Sequence, residues 1–359
     1  MQRFEVLEVS DQGRWLELLE LVELYDFYHL PSYHHLSEIS GEGRGVLLSY
    51  MCGDLVVLFP LLIRNIDAVP GLESVGQDWY DAVSVYGYAG PIASRYLKQN
   101  EKDLFWGHLV EYFNFVRLVY VFSSFHPLFK QESIFQGFGE IIPTSPTISI
   151  DLTLSPDEQW RNYRKGHRKG VKKLNKLGYE CIEDKNMQYW EVFIELYYKT
   201  MKRLNASSYY FFPEEYFSFI KEQIQDRYRL FVCMHNKKVV NASLYTFCQN
   251  IIQAHFEGVH EDYAGMSTGK LVEDTVRLWG NEIGAHSFHL GRGLGGAKDS
   301  LYYYKKGFSK REHPFYYWSF INNRTIYQQL VQEQYRITGA NPGEYYFPLY
   351  RHPAFLESK

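Results

Sequence analysis

The strand and helix signals of this 359-residue chain occur twice in the same order. Apolar runs predict a β-hairpin, a third strand, a helix and a further strand in each half. In the first half these segments are 45–66, 83–88, 102–117 and 118–123, and in the second half they are 228–249, 251–259, 269–283 and 286–290. The repetition predicts an α/β protein with mixed sheets and flanking helices, built from two similar domains, 1–152 and 153–359, that pack together.

The composition indicates an ordinary globular protein. Hydrophobic residues make up 45% of the sequence and charged residues 22%, which is enough apolar surface for two domain cores. No apolar run approaches the roughly 20 residues needed to span a bilayer, and the N-terminus lacks the pattern of a signal peptide. The four cysteines have no spacing that indicates a zinc site or a disulfide framework. We therefore expect a cytoplasmic protein with reduced thiols and no metal site.

A strongly basic segment, residues 161–176, follows the predicted domain boundary. It contains eight of the 38 Lys and Arg residues and no acid, although the net charge of the chain is −4. This concentration of charge predicts binding of a phosphate-bearing molecule, with a solvated helix face as the simpler alternative. A capping box at 155–158 and apolar residues at helical spacing predict one helix, 156–177. The residues of its buried face would be Trp160, Tyr163, His167, Val171 and Leu174.

Four motifs in order carry a resemblance to a known family. The segment 299–308 predicts a short helix that ends in Lys-x-Gly-Phe, which resembles the penultimate helix of the GNAT acyltransferase fold. Together with His289-Leu290-Gly291-Arg292-Gly293, the Gly-Pro strand end at 86–91 and the basic segment, it is similar to the FemAB-like proteins, which carry two GNAT-type domains in tandem. The chain departs from that pattern because no acid follows Pro91 and the coiled-coil arm of some Fem proteins is missing.

The resemblance implies transfer of an acyl or aminoacyl group to an amine of a cell-envelope or polysaccharide precursor. In Fem enzymes the donor is an aminoacyl-tRNA and the acceptor a peptidoglycan precursor, so the implied partners are tRNA, a phosphate-bearing or lipid-linked precursor and a membrane surface. Lys305, next to Tyr304, would stabilise the oxyanion that forms as the amine attacks. The implied substrate-binding residues are Arg164, Lys165, Arg168, Lys169, Lys172, Tyr86 and Tyr88.

Two other functions stay open on the sequence alone. An acyl-CoA-dependent GNAT enzyme acting on an amino-sugar nucleotide would use Tyr303 as the acid for the leaving thiolate and Glu257 as the base for the amine. The glycines before the helix 269–283 lack the spacing of a CoA pyrophosphate loop, which favours a different donor. A non-catalytic module that binds RNA or anionic lipid through the basic segment is the third interpretation. No resident cofactor is predicted, because acyl-CoA or aminoacyl-tRNA would enter as the donor substrate.

Overall fold

The computed structural model describes residues 2–294, 298–340, 342 and 346–356, and the chain forms two compact units. The first unit comprises the described residues of 2–144 and 315–356, and the second comprises those of 145–314. The predicted division at residue 152 assigned the whole C-terminal segment to the second domain, whereas the structure groups that segment with the first unit. None of the described helices is both long and apolar enough to cross a membrane.

The first unit begins with strands and helices that follow the predicted order. Its strands are β1 (Gln2–Glu8), β2 (Arg44–Cys52), β3 (Leu55–Asn65), β4 (Tyr80–Val83), β5 (Ile92–Ala93) and β6 (Leu118–Ser124). Its helices in this part are α1 (Gln12–Val22), α2 (Pro31–Ile39) and α3 (Gln99–Phe115). The strand β7 (Glu140–Asp151) contains the boundary to the second unit.

The second unit again alternates helices with strands. Its helices are α4 (Pro156–Asn162), α5 (Lys165–Lys176), α6 (Trp190–Arg203), α7 (Glu214–Gln223), α8 (Gly269–Glu282) and α9 (Ser300–Lys305). Its strands are β8 (Glu180–Glu183), β9 (Tyr228–His235), β10 (Lys238–Cys248), β11 (Ile251–Val259) and β12 (Ser287–Gly291). The chain returns to the first unit within β13 (Glu312–Ile321) and continues through α10 (Arg324–Thr338) and α11 (Pro353–Leu356).

The strand order follows the same plan in both units. It is β1-β2-β3-β4-β6-β13 in the first, with β5 beside β3, and β8-β9-β10-β11-β12-β7 in the second. In each order the fourth and fifth strands are parallel and the other neighbours are antiparallel. Along the chain, a crossover helix connects the two parallel strands of each unit, α3 in the first and α8 in the second. Such a helix is needed because parallel neighbours cannot be joined by a hairpin. The prediction of two tandem α/β units is confirmed.

The C-terminal segment joins the first unit through a buried ion cluster. Asp81 accepts hydrogen bonds from Arg64 Nε at 2.7 Å, Arg351 Nε at 2.6 Å and the Tyr350 hydroxyl at 2.8 Å. Desolvation opposes the charge of Asp81, but the two guanidinium groups hold its pKa below the usual value. These partners are far apart in sequence, so the division of the chain could not be derived from local signals.

The basic segment forms two helices instead of the predicted one. Tyr163 and Arg164 separate α4 from α5 because both adopt extended backbone, with ψ values of 137° and 143°. The Tyr163 hydroxyl donates to the buried Asp274 at 3.1 Å, and the Arg164 N–H donates to the Gly307 carbonyl at 2.7 Å. These tertiary contacts replace the hydrogen bonds of a continuous helix, so the prediction of a single helix 156–177 is corrected. The predicted burial of His167, Val171 and Leu174 is confirmed.

Two glycines near this break should respond oppositely to replacement by alanine. A methyl group at Gly307 would lie 2.2 Å from His167 Cε1, so Gly307→Ala is expected to lower the free energy of unfolding by about 1–3 kcal/mol through overpacking. A methyl group at Gly166 in α5 would meet no described atom within 4 Å beyond its chain neighbours and the adjacent helix backbone, so Gly166→Ala should raise the free energy of unfolding by about 0.5–1 kcal/mol. Urea unfolding of the two variants measures both changes. Equal effects would contradict the packing of His167 on Gly307.

Candidate active site

Glu257 on β11 lies beside the first residue of α8. Its Oε1 accepts a hydrogen bond from Asn241 Nδ2 on β10 at 2.7 Å, and the same amide group donates to Thr268 Oγ1 at 3.2 Å. A methyl group at Gly269 would lie 2.8 Å from Glu257 Oε1 and 2.8 Å from the Tyr304 hydroxyl oxygen. The carboxylate and the phenol therefore converge on Gly269, where only a residue without a side chain fits.

The Glu257 carboxylate is suited to accept a proton. The residue is exposed to solvent, so a substrate can reach it. Desolvation by the surrounding protein still raises the pKa of Glu257, against the opposing effects of the Asn241 hydrogen bond and the charge of Lys305. A reachable carboxylate with a raised pKa is a stronger base than an ordinary surface glutamate.

Lys305 is half-buried at the end of α9, next to Tyr304. Its Nζ donates a hydrogen bond to the Arg292 carbonyl at 2.9 Å. Desolvation lowers the pKa of Lys305 to about 8, and the charges of Glu273 and Glu257 partly oppose that decrease. The amine therefore carries its proton at neutral pH but titrates close to it.

Glu273 is a member of this cluster that the sequence analysis did not identify. It lies four residues after Gly269, so both residues are on one face of α8. Its Oε2 is buried without a hydrogen-bond partner. Desolvation and then the charge of Glu257 raise the pKa of Glu273 to about 8, with Lys305 opposing the increase. The i, i+4 relation to the helix start was the signal that could have indicated Glu273.

The two candidate tyrosines of α9 have different surroundings. Desolvation, followed by the negative charges of Glu257 and Glu273, raises the pKa of Tyr304 well above its usual value, so this phenol keeps its proton. Tyr303 is 52% exposed, and its ring packs edge-on against Tyr302. The structure therefore brings Glu257, Tyr304 and Lys305 together and leaves Tyr303 outside this cluster.

The first turn of α5 packs against the end of α9 through His167. The His167 Nε2 donates to the Tyr304 carbonyl at 2.9 Å, and the ring packs edge-on against Phe308. Desolvation lowers the pKa of His167 to about 4, so the ring is neutral at physiological pH. His167 therefore orients α9. The Lys-x-Gly-Phe motif needs a glycine at 307 because a larger side chain there would overlap the His167 ring.

Arg164 and Lys270 place positive charge next to this cluster. The Lys270 side chain runs beside Gly170, where a methyl group would lie 2.9 Å from Lys270 Cδ. Desolvation, followed by the charge of Arg164, lowers the pKa of Lys270. Lys270 was not among the predicted residues, because its contact with α5 depends on helix packing.

The other predicted bases of α5 are near the surface. Lys165, Lys169 and Lys172 are exposed, whereas Arg168 is half-buried and its Nη1 donates to the Arg161 carbonyl at 2.9 Å. Among the ion pairs of the described residues, none involves a base of the segment 161–176. Their charge is therefore available to an anionic ligand.

Tyr86 and Tyr88 belong to the first unit, in the segment after β4. The Tyr86 carbonyl accepts a hydrogen bond from the Tyr33 hydroxyl at 3.2 Å. The Tyr88 ring packs edge-on against Tyr28 and Phe315. Both tyrosines are partly exposed, and their role in substrate binding stays a prediction.

Comparisons with known proteins identify the family of one segment and the fold of the chain. Residues 161–308 match the family model described as an acetyltransferase (GNAT) domain, and this range includes every residue of the cluster. No curated protein matches the sequence significantly.

Three solved structures share the fold of the chain at low sequence identity. FemX is 11% identical with a TM-score of 0.66, and the match covers 91% of this chain and 99% of FemX. L-PGS from Bacillus licheniformis is 13% identical with a TM-score of 0.52, over 94% and 100% of the two chains. A C-terminal domain assigned to a lysylphosphatidylglycerol synthetase from Agrobacterium fabrum is 11% identical with a TM-score of 0.54, over 91% and 96%. The TM-scores, all above 0.5, establish a common fold.

Proposed function

Because residues 161–308 form a GNAT acyltransferase domain within a chain that has the FemX fold, we propose that this FemAB-like tandem-GNAT enzyme transfers an acyl or aminoacyl group to an amine of a cell-envelope or polysaccharide precursor. The family match confirms the predicted acyltransferase class and leaves the donor open. The name lysylphosphatidylglycerol synthetase describes an aminoacyl group joined to a membrane lipid, which supports an aminoacyl donor and an envelope acceptor.

The observation that carries the proposal is the convergence of Glu257 and Tyr304 on Gly269, with Lys305 beside them. The acceptor amine attacks the donor carbonyl carbon, a C–N bond forms, and Glu257 takes the proton that the amine loses. The Lys305 ammonium stabilises the oxyanion of the tetrahedral intermediate. When the bond from carbon to the donor oxygen or sulfur breaks, Tyr304 supplies the proton for the leaving group. We assign to Tyr304 the role of acid that the acyl-CoA interpretation gave to Tyr303, because the Tyr304 hydroxyl lies next to Gly269 and Glu257.

The charge of the basic segment supports a phosphate-bearing substrate. The charges of Lys270 and Arg164 act on His167, which is hydrogen-bonded to the Tyr304 carbonyl, and the exposed bases of α5 extend this charge along the helix. Arginine forks bind phosphate through paired charge-assisted hydrogen bonds. We therefore assign the phosphates of the donor or of the precursor to Arg164, Lys165, Arg168, Lys169 and Lys172. A cytoplasmic enzyme acting on a lipid-linked precursor at the membrane surface fits these assignments.

An acyl-CoA donor is the second candidate, because the matched family model describes an acetyltransferase. Its acceptor would be an amino-sugar nucleotide, and Glu257 would serve as the base in this reaction as well. The two donors differ in what must contact the basic segment, either the phosphates of an RNA or those of CoA.

A thermal-shift panel of acyl-CoAs, aminoacyl-tRNA and nucleotide-sugar precursors tests the donor. A ligand that binds only the folded protein at 100 times its Kd stabilises it by about 2.7 kcal/mol, so the true donor should raise Tm clearly. Arg164→Glu should reduce that increase, while Lys238→Glu, at an exposed lysine at the start of β10, should not.

Binding assays with RNA and anionic vesicles at different salt concentrations, together with an assay of transfer to amine acceptors, separate an enzyme from a binding module. Salt-sensitive binding of RNA or anionic vesicles, without transfer to any amine acceptor, would contradict the proposed enzyme. Stabilisation by acyl-CoA alone would select the second candidate.

A further inference from the structure

A chain of hydrogen bonds reaches the Glu257 carboxylate from β10. The Ser243 hydroxyl donates to Asn241 Oδ1 at 2.9 Å, and Asn241 Nδ2 donates to Glu257 Oε1 at 2.7 Å. The same Nδ2 donates to Thr268 Oγ1 at 3.2 Å, immediately before α8 begins. Asn241, Ser243 and Thr268 are at most 2% exposed, so solvent does not compete for these hydrogen bonds.

The strand register explains how these side chains meet. Ser243 is the cross-strand partner of Glu257, and Asn241 lies two residues before Ser243, so all three are on one face of the sheet. Asn241 therefore occupies the diagonal position next to Glu257, within reach of its carboxylate. Asparagine is disfavoured inside a strand, and here it stands between the buried Val240 and Ala242. A fully buried amide at such a position needs hydrogen-bond partners, and Asn241 uses both its oxygen and its nitrogen.

The chemistry of the partners determines which way the amide faces. In the opposite orientation the Asn241 oxygen would lie against the Glu257 carboxylate, where neither atom can donate a hydrogen bond. The Ser243 hydroxyl satisfies the oxygen in the observed orientation. Among the described residues, none donates a hydrogen bond to Glu257 Oε2, so the network holds one carboxylate oxygen and leaves the other for a substrate proton.

We propose that Asn241 is a positioning residue for Glu257, which it holds by one carboxylate oxygen so that the other can take the proton of the acceptor amine. Asn241 acts on the substrate only through Glu257, so the inference rests on the proposed function of that glutamate. A base whose side chain is fixed before the substrate arrives loses less freedom in the transition state than a mobile one.

The hydrogen bond from Asn241 also affects the charge of the base. Burial raises the pKa of Glu257, and this hydrogen bond opposes the increase because it favours the ionised form. Other titratable groups act on Glu257 from the surrounding elements, and none of them donates a described hydrogen bond to it. They are Lys305 and Tyr304 of α9, Arg203 of α6, Glu273 of α8 and Tyr245 of β10.

The direct test is the titration of the Glu257 carboxyl group in the full chain, followed by NMR on protein labelled with ¹³C at the glutamate Cδ. Glu257→Gln identifies the resonance by its absence. Loss of a hydrogen bond to the ionised form makes ionisation harder, so Asn241→Ala is expected to raise the midpoint by about one pH unit. Asn250→Ala, at an exposed asparagine in the turn after β10, is the matched control and should leave the midpoint unchanged. An unchanged midpoint in Asn241→Ala would overturn the proposal.

Ser243→Ala is a milder second variant. It keeps the Asn241 amide and removes only the hydroxyl that orients it, so the Glu257 midpoint should rise by a smaller amount. If Asn241→Ala does not fold, this variant decides the question, and a midpoint equal to that of the wild type would then count against the proposal.

Activity gives a readout that a merely structural residue would not change. The acidic limb of the kcat/KM profile should move up by the same pH unit in Asn241→Ala, so the loss should be about ten-fold larger below the limb than above it. A uniform loss with an unmoved limb would contradict positioning through Glu257. A raised carboxyl midpoint together with full activity of Glu257→Gln would instead reject the proposed function and keep the role of the hydrogen bond.

Discussion

Replacing Lys305 with methionine should lower kcat by about 10²–10³-fold at pH 7, which is the usual loss when one oxyanion-stabilising group is removed. Methionine keeps the length of the side chain and removes the ammonium group. The lysine acts on the charge that develops in the transition state, so KM should change little. Steady-state kinetics with the donor identified by the thermal-shift panel measures both constants.

Lys306→Met is the matched control for this variant. Lys306 is the next residue along the chain, is exposed, and pairs with Glu312 on β13. Exposed pairs of this kind contribute about 0–1 kcal/mol to stability, so the control should fold and turn over normally. Equal turnover of Lys305→Met and the wild type would remove Lys305 from the mechanism.

The architecture was predictable because its local signals are strong. The predicted hairpin 228–249 contains β9 and β10, the predicted strand 251–259 has the same bounds as β11, and the predicted helix 269–283 extends one residue past α8. Alternating apolar residues define such strands without reference to the rest of the fold. The last long helix, α10, was not predicted, although its signals are local. Asn323 caps its start, and Gly339 ends it in the left-handed conformation. The strand predicted at 83–88 was wrong in its bounds, because β4 ends at Val83.

Other features depended on contacts that no local pattern encodes. The break between α4 and α5 exists because Tyr163 reaches Asp274 and Arg164 reaches Gly307. At the site, Glu257, Tyr304 and Lys305 were named from a family resemblance and a strand position, and the structure places them together. Glu273 looked like an ordinary acid on an amphipathic helix. Its importance follows from burial, which only the packed structure provides.

Glu257→Gln should lower kcat/KM by about 10²–10⁴-fold, because the amide cannot take the proton of the attacking amine. The pH profile gives a second signature. Glu257 must be ionised, and its pKa is raised, so wild-type activity should fall as the pH decreases through a value above that of an ordinary glutamate. Lys305 must be protonated, so activity should also fall as the pH rises through about 8. The variant's residual activity should lose the acidic limb and keep the alkaline one.

Glu261→Gln is the control variant, because it removes one acid from the protein and leaves the proposed base in place. Glu261 is exposed and follows β11 by two residues, so the variant removes the same charge a short distance away. It should retain both the turnover and the bell-shaped profile. If Glu257→Gln retained them as well, the amine would lose its proton by a route that bypasses this carboxylate. Glu273 would then be the next candidate base, because its carboxyl group interacts with both Glu257 and Lys305.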